Sequence, residues 1–248
     1  MSSVAIAALV LACCFGGGML GIRSREALPA HHLNPDSKDL VHLCMGLVAT
    51  MTALILGLVT ASAKATFDAE DQAIHTSADN VVMLDRLLAG YGPEAQPLRA
   101  EIRKALGRSI SAIWGDQGAT AANTEPAGPA LQQGILALTP TTDAQRWQQS
   151  QALSISNDIA KARWLSITGT NSPIPVSFLV IITFWLSSLF WSFGLFAPRN
   201  ATVIAVMLLS AASVSACVLL ILEMQTPFSG ILRISSGPLQ FALEQLGK

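Results

Sequence analysis

Four stretches of this chain run for about twenty residues without Asp, Glu, Lys or Arg, at 2–22, 41–63, 175–197 and 201–222. A bilayer core about 30 Å thick is crossed by roughly 20 consecutive apolar residues in a helix, because hydrocarbon offers no partner to unpaired backbone groups. Each stretch therefore predicts a membrane-spanning helix. The third and fourth are separated only by Pro198, Arg199 and Asn200, which predicts a helical hairpin. The first lacks a basic leader and a small-x-small cleavage site and reads as a retained anchor.

Between the second and third stretches the pattern changes to amphipathic. No Gly or Pro occurs between Gly57 and Gly90, which predicts one helix leaving the membrane and running to about Ala89. At 1.5 Å per residue, about 50 residues of helix extend roughly 75 Å. Phe67, Ile74, Val81 and Leu88 repeat every seven residues, with Ala78 and Leu84 beside them, although Glu70 and Ser77 depart from a strict coiled-coil heptad. Gly90-Tyr91-Gly92-Pro93 breaks the helix, and Pro93 suits the first turn of the next. There Leu98, Ile102, Leu106, Ile110 and Ile113 make an apolar face, leaving Arg99, Arg103, Lys104 and Arg108 as a solvated one. A stretch without periodicity at 115–129 predicts a loop, and 130–138 a short helix. Trp147, Gln151, Ile155, Ile159 and Ala162 then keep helical spacing to about Ile167. The insert reads as three or four helices with no strand. After the last span, Pro227 and Gly230 predict a turn, and Pro238 starts a final helix with Leu239, Ala242, Leu243 and Leu246 on one side. That helix is expected to lie on the membrane or to pack on the insert. The fold class is an all-α membrane protein with four transmembrane helices and a helical extramembrane insert between the second and third. Its parts are 1–63, the insert 64–174, the hairpin 175–222 and the tail 223–248.

Composition agrees. The chain is 51% hydrophobic and 12% charged with a mean hydropathy of +0.49, where soluble domains carry roughly 25% charged residues. A net charge of −1 without a basic or acidic tail excludes a nucleic-acid footprint. Cys13, Cys14, Cys44 and Cys217 all sit in apolar runs and read as packed or lipid-facing thiols. Arg23, Arg25, Lys38 and Arg199 flank one side of the spans, against Lys64, Lys161, Arg163 and Arg233 on the other. The count is a tie. The first span, basic only on its C-terminal flank, decides the expectation: an inner-membrane protein with termini and insert outside the cytoplasm.

Candidate chemistry centres on the second span. Gly46, Thr50, Ala53, Gly57, Thr60 and Lys64 recur at alternating steps of four and three, which places small or polar residues on one face. Such a stripe is either a close helix–helix contact or a pore lining with threonine hydroxyls and a lysine at its mouth. Lys64 also suits snorkelling at the interface. Metal-ligand candidates are His31, His32, Asp36, Asp39 and His42, with Asp39 and His42 one turn apart; the alternative is a hydrated loop in which Asp36 or Ser37 caps the second helix. No phosphate loop, HExxH, CxxC or nucleophile elbow occurs, so neither an enzyme nor a cofactor is expected. The spans hold no central ionisable residue for a proton relay, and Glu223, at the end of the fourth, reads as interfacial.

A family resemblance rests on Leu28-Pro29 with His32-Leu33, on Gly46-Leu47-Val48-Ala49-Thr50 through Leu56-Gly57-Leu58, on Leu84-Asp85-Arg86 with Tyr91-Gly92-Pro93-Glu94, and on Pro227-Phe228-Ser229-Gly230 with Ile234-Ser235. In these the chain resembles the bacterial membrane proteins called bestrophin-like, whose shared domain has no assigned function. The family name implies similarity to bestrophins, which are pentameric, ligand-gated anion channels. The acidic run that clasps calcium in bestrophins is absent after Gly230, so calcium gating is not implied. Two functions remain open. One is a homo-oligomeric ion channel, passing small inorganic anions, whose second spans line the path. The other is a non-conducting scaffold or sensor in which the insert binds a partner and the stripe packs helices.

Overall fold

The structure, a computed structural model, describes residues 2–27, 35–115, 127–169, 176–228 and 230–248. They form eight α-helices and no strand: α1 Ser3–Ala27, α2 Pro35–Tyr91, α3 Gln96–Trp114, α4 Ala127–Leu136, α5 Asp143–Gly169, α6 Val176–Phe196, α7 Ala201–Met224 and α8 Gly237–Gln245. A short 3-10 turn, Pro93–Ala95, precedes α3. Four helices, α1, α2, α6 and α7, are long and apolar enough to cross a membrane. The chain is an all-α membrane protein with four spans. Its residues divide into two compact units, one of 1–66 with 173–226 and the other of 67–172 with 227–248.

The membrane unit is organised around α1. Its face of Val10, Cys14 and Ile22 packs with Ile182, Leu186 and Phe190 of α6 and Met207, Ala211 and Val218 of α7. Glycine sets how closely α1 and α6 approach. A Cβ on Gly17 would lie 2.7 Å from the Ser187 carbonyl oxygen, while one on Gly21 would strike the Trp191 carbonyl and one on Gly194 the Gly18 carbonyl. Lipid tails are as apolar as leucine, so spans associate through close van der Waals packing, which small residues permit. Polar contacts add to it. Ser215 of α7 donates its hydroxyl to the Ala7 carbonyl at 2.7 Å, and Arg25 donates to the Ala197 carbonyl at the end of α6 at 3.0 Å. The hairpin turn is held by Asn200, whose side chain accepts from the Val203 amide at 2.8 Å and caps α7.

The second unit has its own core. Of the seam expected from the heptad-like spacing, Ala78, Val81, Leu84 and Leu88 are buried and Ile74 packs partly buried against them, while Phe67 is not among the core residues; with Tyr91 of α2 they pack with Ile102 and Leu106 of α3, Ile135 of α4, and Ala152 and Ile155 of α5. Leu239 and Ala242 of α8, with Leu246, close the same core, so of the two expectations for the tail the structure holds packing on the insert. The seam is thus covered by helices of its own chain.

Two readings need correction. Arg99 does not belong to a solvated face: it is paired with Asp85, and the two side chains are only 10% and 4% exposed. The turn after α2 folds α3 back along it and brings the guanidinium onto the carboxylate. Glu223 does end the fourth span, but at 4% exposure it is buried in protein rather than displayed at the interface.

Candidate functional site on the second span

At about 100° per residue the membrane part of α2 has three sectors. Thr52 (3% exposed) and Ala63 are buried, and Ile55 packs on the core of the membrane unit, so this sector faces the chain's own helices. About 130° around the helix lie Gly46, Thr50, Ala53, Gly57, Thr60 and Lys64, of which all but the half-buried Thr60 are exposed. A third sector, about 100° further, carries Leu40, Leu43, Leu47, Met51, Leu54 and Leu58, all exposed. The large apolar row is suited to lipid. The small and polar row is separate from it.

The six stripe residues thus share one face, on which all but Thr60 are exposed on the single chain. Nothing lies within 4 Å of where a Cβ would sit on Gly46 or Gly57. The contrast with Gly17, Gly21 and Gly194 is direct, because those glycines are each filled by a neighbouring backbone. Along the row, Thr50 donates its hydroxyl to the Leu47 carbonyl at 2.8 Å and Thr60 to the Leu56 carbonyl at 2.7 Å. Both protons are committed to the helix, so it is the hydroxyl oxygens that the face presents.

Of the metal-ligand candidates, only Asp39 and His42 have described side chains. His31, His32 and the side chain of Asp36 lie outside the described residues. His42 meets the ring of Phe196 edge-on at 5.4 Å, and Asp39 is exposed. Among the described residues no three His, Cys, Asp or Glu side chains are grouped to hold a metal.

The turn after α7 is ordered by the second unit. The Ile234 amide donates to the Pro227 carbonyl at 2.9 Å and closes the loop. Gly230 has φ +96°, a left-handed conformation that side-chain-bearing residues rarely adopt, while Ser229 lies outside the described residues. Trp114 of α3 fastens this turn twice: its ring meets Phe228 edge-on at 5.7 Å, and its indole N–H donates to the Ile234 carbonyl at 2.8 Å. Pro227, Phe228 and Gly230 are in this way parts of one braced turn.

Sequence reasoning missed the polar centre of the second unit. Arg99 donates from Nε to Asp85 Oδ1 and from Nη2 to Oδ2, both at 2.8 Å, and the Gly247 amide donates to the same Oδ2 at 3.2 Å. Burial by itself would raise the Asp85 pKa, but hydrogen bonds from Arg99 and Gly247 and the charge of Arg99 together hold it below its ordinary value. The missed signal was an acid inside the apolar stripe, one residue after Leu84 and three before Leu88.

The motif residues of the second unit are therefore structural: Leu84 is fully buried, Asp85 is paired, and the Tyr91 carbonyl accepts from Gln145 of α5 at 3.0 Å. Gly92, at φ +132°, turns the chain into Pro93. No curated protein and no solved structure matches the chain. A family model described as the Bestrophin-like domain matches residues 12–239, which takes in most of each unit.

Proposed function

We propose that this chain, which belongs to the bestrophin-like family, is the subunit of a homo-oligomeric ion channel for small inorganic anions, with the small and polar sector of α2 lining the path. One observation carries the reading: on a membrane span, Gly46, Thr50 and Gly57 lie open in a row about 100° from the leucine row that suits lipid. In a ring of copies the first row turns toward the axis while the second meets hydrocarbon. Because the threonine protons are engaged by backbone carbonyls, preference for anions falls to the positive charge of Lys64 at one mouth rather than to the hydroxyls. The proposed setting is a bacterial inner membrane, with termini and insert outside the cytoplasm. Cysteine labelling at positions 38 and 64 then reports from opposite faces.

The openness at Gly46 and Gly57 also favours a second reading, in which the row is a copy-to-copy contact of a non-conducting scaffold. Thr50→Leu and Gly57→Leu separate the two. As pore-lining changes they reduce conductance while assembly survives; as contact changes they break assembly. The primary test is halide flux in liposomes holding the full-length protein, with chains per particle counted by native mass spectrometry. Flux through an oligomer, shifted toward cations by Lys64→Glu, supports the channel. A monomer without flux refutes it.

A further inference from the structure

We propose that the membrane unit carries a binding site for one anionic phospholipid, between the C-terminal part of α1 and the start of α7. A cleft of about 530 Å³ opens there, walled by Met19, Leu20 and Ile204 and bearing Arg23 and Arg199, with Asn200 at its end. The volume falls in the range of small-ligand sites, about 300–1,000 Å³. Two features select the ligand.

The first is charge. Arg23 ends the apolar run of α1, and Arg199 lies in the turn between α6 and α7, so two separate segments bring guanidinium groups to one cleft at the ends of apolar spans. Guanidinium pairs with phosphate oxygens through two parallel N–H donors. The cleft is also at the N-terminal end of α7, whose dipole favours an anion. Basic residues beside a span often serve only as anchors. Arg25 reaches the Ala197 carbonyl, and Arg23 and Arg199 line the cleft.

The second is the wall. Met19 and Leu20 are exposed and apolar, on a helix long and apolar enough to cross a membrane. A soluble oxyanion gains nothing from burying them, but the first methylenes of an acyl chain do. A phosphate ester joined to a hydrocarbon chain matches both features, and a zwitterionic headgroup, whose own cation competes for the phosphate, matches the charge less well.

The test uses the full-length protein in detergent, analysed by native mass spectrometry with phosphatidylglycerol or phosphatidylcholine of the same acyl chains. The wild type should retain one phosphatidylglycerol per chain, with a preference over phosphatidylcholine on the order of tenfold to thirtyfold, as two basic residues at a lipid surface give. Arg23→Gln with Arg199→Gln should abolish the preference, while Arg108→Gln with Arg146→Gln, which removes the same charge from exposed positions of the other unit, should preserve it. Equal retention of the two lipids by the wild type overturns the proposal before any variant is made. So does a preference that survives in the Arg23/Arg199 variant, and so does complete displacement of the lipid by millimolar inorganic phosphate, which would mark a free-oxyanion site.

Discussion

Replacing Asp85 by Asn tests the polar centre of the second unit. The carboxylate accepts two hydrogen bonds from Arg99 at 2.8 Å and a third from the Gly247 amide. Asn keeps the shape and one acceptor, but in either orientation its NH2 meets a guanidinium N–H, and in one of them the Gly247 amide as well, donor against donor. It also leaves a guanidinium only 10% exposed without its counter-charge. Losing one partner of a buried pair costs about 3–5 kcal/mol, and since Arg99 retains some access to water the lower figure applies, about 3 kcal/mol. At about 1.4 kcal/mol per decade this is on the order of a hundredfold. Native-state hydrogen exchange on the full-length protein reads it at the Leu84 and Leu88 amides, whose side chains lie in the core of that unit. Their protection should fall about a hundredfold, with the α1 and α6 amides unchanged as the internal reference. Protection at Leu84 and Leu88 that stays within about threefold of wild type, a difference under about 1 kcal/mol, would show that the pair contributes little. The variant Asp85→Leu/Arg99→Leu, which removes both charges, should recover most of the loss.

Three further outcomes follow from the same geometry. The Asp85 pKa is lower folded than its ordinary 3.8, so its contribution is fully present above the unfolded value and is lost as pH falls through the folded one; protection at Leu84, taken relative to the intrinsic exchange rate at each pH, should fall below about pH 4 in wild type and less steeply in Asp85→Asn. Gly194→Ala places a methyl against the Gly18 carbonyl and should cost about 1–3 kcal/mol by overpacking, read as faster maleimide labelling of the buried Cys14 in a chain whose other cysteines are serine; Gly57→Ala, with open space around it, should leave that rate unchanged. Trp114→Phe keeps a ring against Phe228 but removes the bond to the Ile234 carbonyl, and at about 1 kcal/mol should speed exchange of the Ile234 amide roughly fivefold; an unchanged rate would mean the turn is held without Trp114.

What could be read from the sequence divides along physical lines. The spans were legible because hydrocarbon enforces uninterrupted apolar runs whatever surrounds them, and the helix from the second span onward was legible because no breaker occurs before Gly90. The partner of Asp85 was not. Arg99 stands fourteen residues on, beyond the turn at Gly92 and Pro93, and spacing along the chain does not say that α3 returns to meet it. Glycine shows the limit most clearly. Gly17 and Gly21, four apart in an apolar run, are the pattern of a close helix contact, and the structure fills their spaces with the backbone of α6. Gly46 and Gly57 on α2 read similarly along the chain, yet their spaces stay open. The same residue type therefore means packing in one helix, while in the other its meaning depends on something outside the single chain. The channel and the scaffold differ in what that is, water and ions or another copy's helix, and this is why the substitutions at Thr50 and Gly57 discriminate where no further reading of one chain does.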